Sequence, residues 1–251
     1  MIPALKSEFR KLFTVRATYV IMSGVLLLMI FFAFYVSGWK SSAEGLHDPL
    51  SLAGDVTGAV QAVSVFWALI AILLVTQEYR YNLITYTLTA TNNRNKVLAA
   101  KFIICSLIGI IFTIFVGIAS PILSVWGAQL HGLHFQPQII DHGKLFWECL
   151  FYGWGYTMAG LLFGTLIRNQ IGSIVVLFIA PDTVEALLGL LLKNNAVYLP
   201  FTALSMVIGQ PIKTSLTHVI SPGKAALVFA IYLLIGWVVA WVLFLRRDAT
   251  N

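Results

Sequence analysis

Charge is what this 251-residue sequence has least of. Asp, Glu, Lys and Arg make up 10% of it, against about 25% in a soluble domain. With 59% of residues apolar, too little polar surface remains to cover a globule of this size. An ordinary cytosolic enzyme and a disordered chain are both excluded. Cysteine is nearly missing: Cys105 and Cys149 stand inside apolar runs, so they read as small hydrophobes, with no disulfide framework or zinc motif. A phosphate-binding G-x-x-x-x-G-K-[ST] is absent too. Residues 209–214 (GQPIKT) approach it but lack the Gly before the Lys and contain a Pro. No Ser/His/Asp set or H-E-x-x-H helix occurs either.

What the sequence does have is apolar length. About 20 mostly apolar residues cross a bilayer as a helix, and six runs qualify: 17–36, 57–77, 102–126, 145–167, 171–192 and 225–245. No repeat, low-complexity tract or long linker separates them. The expectation is an all-α membrane protein with one domain over 1–251: an interfacial elbow helix at 1–16, six transmembrane helices within 17–245 and a tail at 246–251. The first run has a basic start but about 20 apolar residues, longer than a signal-peptide core, and so reads as an anchor.

The net charge of +6 could suggest nucleic acid, but the basic residues sit where apolar runs end instead of forming a stripe with stacking aromatics. Nucleic acid is therefore not an expected partner. Lys6, Arg10, Lys11, Arg16, Arg80, Arg94, Lys96, Lys101, Arg168, Arg246 and Arg247 flank one end of the runs, leaving five cations at the other. By the positive-inside rule both termini are cytoplasmic.

Residues 1–16 carry Ile2, Leu5, Phe9, Leu12, Phe13 and Arg16 at helical spacing, with Lys6, Ser7, Arg10 and Lys11 on the other side. This pattern fits a helix lying among lipid headgroups. Two readings stand: a charged flank that only sets topology, or an elbow that also touches a cytoplasmic partner. The connection between runs two and three, EYRYNLITYTLTATNNRNKVLAAK from Glu78 to Lys101, is too short for a domain and too long for a tight turn. Leu83, Ile84, Leu88 and Val97 give it some apolar surface, which suits a short helix across the membrane face.

Taken together, these stretches resemble the permease subunits of type-2 ABC transporters. Such permeases begin with an elbow carrying a Glu and basic residues, as Glu8, Arg10 and Lys11 do here. Their second span is followed by an acid, a Thr-containing stretch, and Arg and Lys leading into span three; Glu78, Thr85, Leu88, Arg94 and Lys101 match. The chain departs from the pattern in lacking Gly-Thr after the acid and in having Asn93 where a Pro often precedes the Arg. The resemblance implies a coupling helix between spans two and three, with Glu78, Arg80, Leu83, Thr85, Leu88 and Arg94 as ATPase-coupling residues. It further implies a cytoplasmic ABC ATPase subunit as partner, a second permease copy (homodimer or heterodimer), and export as the direction. ATP and magnesium would bind in the ATPase, this chain holding no cofactor and doing no covalent chemistry.

Run five holds Asp182 and Glu185, three apart and hence expected on one helical face, beside Pro181. A carboxylate in mid-membrane faces protein or water, so the pair reads either as part of a translocation path or as packing groups. Gly160 and Gly164 form a G-x-x-x-G ridge, for packing within one chain or across a dimer. Glu148, close to Lys144, reads as interfacial. His131, His134, Asp141 and His142 share an outer loop, but H-x-x-H without cysteine is a weak metal signal, and no metal is expected. The apolar segment 193–223 is too short to cross and return, which suggests a re-entrant or interfacial hairpin bracketed by Pro200 and Pro211. Rival readings are an ion- or proton-coupled carrier and an intramembrane enzyme using Asp182 and Glu185 or the outer histidines.

Overall fold

A computed structural model describes residues 2–14, 16–40, 48, 50–81, 83, 93–135, 140–209 and 219–246. These form helices throughout, without a strand among the described residues: α1 (Ile2–Thr14), α2 (Arg16–Trp39), α3 (Ser51–Arg80), α4 (Arg94–Leu130), α5 (His142–Ile167), α6 (Gln170–Tyr198), α7 (Pro200–Val207) and α8 (Pro222–Arg246). Six of them, α2 to α6 and α8, are long and apolar enough to cross a membrane. Helices suit this composition because a hydrocarbon environment leaves backbone groups no partner outside their own segment.

Each spanning helix overruns its apolar run. The 37 residues of α4 extend about 56 Å, well beyond a hydrocarbon core of about 30 Å. Local side chains set the ends. Asn93, Asp141 and Asn169 cap α4, α5 and α6, accepting from the N–H of Lys96 (3.3 Å), Lys144 (3.1 Å) and Gly172 (2.9 Å). Asn93 thus begins α4 through its own side chain. Arg168, in the left-handed region at φ 56°, closes α5 two residues before α6 begins.

The bundle is built around α3 and α5, the most deeply buried spans. They meet through glycine. A Cβ on Gly160 would lie 2.5 Å from the Ala68 carbonyl oxygen, and one on Gly164 would press on Ile72. The ridge therefore packs inside the chain. The ends of α2 and α4 remote from residue 16 approach as closely, Gly38 against Ser124 and Gly127 against Phe34. There α2 widens into π-helical turns from Ile30 to Trp39. Trp67 of α3 stacks on Phe112 of α4 with centroids 4.2 Å apart. Cys105 and Cys149 are buried free thiols.

Ala in place of Gly in a helix gains about 0.5–1 kcal/mol of helix preference, but at Gly160 the added carbon collides with backbone. Gly160→Ala should lower the melting temperature in detergent. Gly58→Ala, at a glycine with nothing within 4 Å of the added carbon, should hold or raise it.

Candidate functional site

Four charges from three helices meet where α1, α3 and α4 converge. Glu8 and Lys11 are one turn apart on α1, Glu78 lies in the last two turns of α3, and Lys101 is in the second turn of α4. The Lys101 side chain is 1% exposed, Glu8 2%, Glu78 4% and Lys11 29%. Lys101 Nζ donates to Glu8 Oε2 at 2.8 Å, to Glu78 Oε1 at 2.8 Å and to the Leu74 carbonyl at 3.2 Å. All three ammonium protons are thereby used. Lys11 Nζ closes the ring, donating to Glu8 Oε1 at 2.6 Å and to Glu78 Oε1. Two cations and two anions make the cluster neutral, the condition for holding charges out of water. Leu12 of α1 is buried in the same apolar core as α3 and α4.

More links surround the ring at this end of the bundle. Arg80 Nη1 donates to Gln170 Oε1 at 3.1 Å, joining α3 to α6. Arg94 Nη1 donates to the Leu245 carbonyl at 3.2 Å, and Trp241 Nε1 to Asn95 Oδ1 at 2.9 Å, joining α4 to α8. The Arg168 guanidinium, at the end of α5, lies 5.1 Å from the Tyr79 ring centre. Between Arg80 and Arg94 runs the segment that the resemblance implies is a coupling helix. Tyr81 and Leu83 are exposed there, while Thr85 and Leu88 lie outside the described residues.

The structure thus brings the two motif groups together. Glu8 and Lys11 of the elbow join Glu78 of the coupling set, so these three face inward, and Arg10 remains exposed. Lys11, expected on the polar side of α1, turns into the ring because Glu8 is its neighbour one turn back. Lys101 is the member that sequence reasoning counted as a flank and a motif match but left out of the site residues. Two signals could have singled it out. It stands between Ala100 and Phe102, where a lysine needs a carboxylate, and Glu8 and Glu78 are the acids close to this basic end.

Asp182 and Glu185 do not share a face. The π-helical turns at Ala180–Val184 bond i to i+5 and shift the register, leaving Asp182 exposed on the chain surface and Glu185 buried. Glu185 caps α7: its oxygens accept from the N–H of Phe201 (2.7 Å), the N–H of Thr202 (2.6 Å) and the Thr202 hydroxyl (2.7 Å). So occupied, Glu185 is poorly suited to act with Asp182 in catalysis. Helix α7, part of the apolar 193–223 segment, packs Phe201 near Tyr156 of α5 and Phe229 of α8; Pro211 lies outside the described residues. Glu148 sits 3.8 Å from Lys144. His131 packs edge-on against Trp39 with ring centres 3.9 Å apart, and Asp141 is occupied as a cap. Among the described residues, no three His, Cys, Asp or Glu side chains gather as metal ligands would.

A family model described as ABC-2 family transporter protein matches residues 4–180. That range holds the whole charge ring, the segment between α3 and α4, and the glycine ridge. No curated protein matches the chain.

Removing one member of a buried charge set costs about 3–5 kcal/mol, because the others lose compensation. Lys101→Met, which leaves the ring with net negative charge, should lower the melting temperature markedly. Adding Glu8→Gln leaves the neutral Lys11–Glu78 pair and should recover part of the loss, as measured by thermal unfolding in detergent. Glu185→Ala strips the α7 cap and should cost about 1–2 kcal/mol, with Glu185→Gln between it and the native chain.

Proposed function

The chain belongs to the ABC-2 family of transporter proteins, and on that premise we propose that it is the permease of an ATP-driven exporter whose ATPase docks on the face carrying the charge ring. Membership itself carries the coarser statement. This is a multi-pass membrane protein, the permease component of an ABC transporter, and is not itself catalytic; permeases of this kind work with an ABC ATPase in a lipid membrane.

The observation supporting ATPase coupling is the position of the ring. Glu78 and Lys101 stand on the two helices that the 82–93 segment connects, and Glu8 and Lys11 bind both to the elbow. A force on that segment cannot move α3 without α4 and α1. Through Arg80 and Arg94 it also reaches α6 and α8. In this reading Tyr81, Leu83, Thr85 and Leu88 present the docking surface. The excess of Lys and Arg at this end supports a cytoplasmic side for it and for both termini. ATP and magnesium bind in the partner, and ATP binding favours one of two arrangements of the spans, as any ligand-driven switch requires.

The translocation path lies between this chain and a second permease copy. Asp182 supports that reading. It is about 18 Å along α6 from Gln170, deep in the bilayer, yet on the outer surface of the single chain. A carboxylate at that depth faces protein or water instead of lipid tails, and its exposed side is where a facing copy across a path would lie.

Co-expressed with an ABC ATPase that carries G-x-x-x-x-G-K-[ST] and is its partner, the permease should co-purify with an ATP-hydrolysing subunit. Charged residues at Leu83 and Leu88 should abolish transport-coupled ATP hydrolysis while leaving the permease folded; undiminished stimulation in that variant would sink the docking assignment. Asp182→Asn should alter transport in reconstituted vesicles with little change in melting temperature.

A further inference from the structure

Beside the charge ring, a groove of about 370 Å³ opens between α1, the start of α2 and the end of α3. Its wall combines three kinds of surface. Arg16 is exposed, and no described carboxylate pairs with it; Thr18 adds a hydroxyl one turn-half further along α2. Glu78 is on the opposite side. Its Oε1 takes both lysines, but Oε2, buried, has no hydrogen-bond partner among the described residues. Ile70 and Leu73 form an apolar floor, with Ile70 about 12 Å deeper along α3 than Glu78.

An orphaned buried carboxylate oxygen costs free energy unless a donor reaches it. The four ring charges cancel, so among the described residues Arg16 gives the groove one uncompensated positive charge. The complement is a molecule with a phosphate, a hydrogen-bonding ammonium close to it and an apolar continuation. We propose that the groove binds a phospholipid with a primary-amine headgroup, of the phosphatidylethanolamine type. The phosphate pairs with Arg16, the Glu78 side chain turns from its buried position so that Oε2 accepts from the ammonium, and the glycerol and first acyl carbons run over Ile70 and Leu73. A quaternary ammonium has no proton for Glu78, and a glycerol headgroup has no cation, so the site distinguishes three common headgroups. It depends on residence in a membrane and not on the ATPase partner.

The test reconstitutes the purified full chain, without nucleotide, into nanodiscs with equal parts phosphatidylethanolamine, phosphatidylcholine and phosphatidylglycerol, and reads retained lipid by native mass spectrometry. Phosphatidylethanolamine should be retained over each of the others by roughly fivefold or more, the ratio expected for one charge-assisted hydrogen bond. Arg16→Gln should bring retention down to bulk composition with unchanged melting temperature. Lys6→Gln, at an exposed α1 cation outside the groove, should leave the preference intact. Retention in bulk proportions by the native chain would overturn the site. Equal enrichment of phosphatidylglycerol would overturn the role of Glu78 and leave a general anion patch. An effect of Lys6→Gln as large as that of Arg16→Gln would overturn the role of the groove.

Discussion

A lysine buried in a helix that crosses a membrane is tolerable only beside carboxylates, and much else in this chain depends on that condition at Lys101. Its three protons have three acceptors, two of them anionic and from different helices. The requirement forces α1 to fold back onto α3 and α4, since Glu8 must reach a position fixed by the bundle. Buried ion pairs are weak evidence for stability, because apolar residues of similar volume often serve as well. What the ring does provide is geometry: the elbow, the second span and the third cannot separate without stranding a charge.

The other end of the molecule uses a different constraint. There α2 and α4, and in the middle α3 and α5, are held by close backbone approach at Gly38, Gly127 and Gly160. Between lipid-facing helices there is no hydrophobic force to exploit, so dispersion and small residues set the packing. The bundle therefore has a tightly interdigitated centre and, at its basic end, a polar clasp of long side chains.

The two carboxylates of α6 show how one short irregularity separates roles. Pro181 lies in the π-helical turns, and the changed register sends Glu185 inward to cap α7 and leaves Asp182 facing out. Glu185 helps bind α7 and so keeps the apolar residues after the fifth span folded against α5 and α8.

Much of the architecture was legible in the residues. Six apolar runs, their charged flanks and the amphipathic spacing of 1–16 give six crossings and an added helix, because hydrocarbon admits few backbone conformations and length alone then decides. The ends were less legible: Asn93, Asp141 and Asn169 extend helices beyond the apolar runs through caps that hydropathy does not register. The pairing of Glu8 with Lys101, 93 residues apart, could not be read from spacing, since it depends on how three helices meet in space. The same holds for Gly160, whose neighbour could have been another copy until Ala68 was seen against it, and for Asp182 and Glu185, which ideal helical spacing would place together. Local patterns fix what an element is; which face it turns to which neighbour is decided by contacts that exist only once the chain has packed.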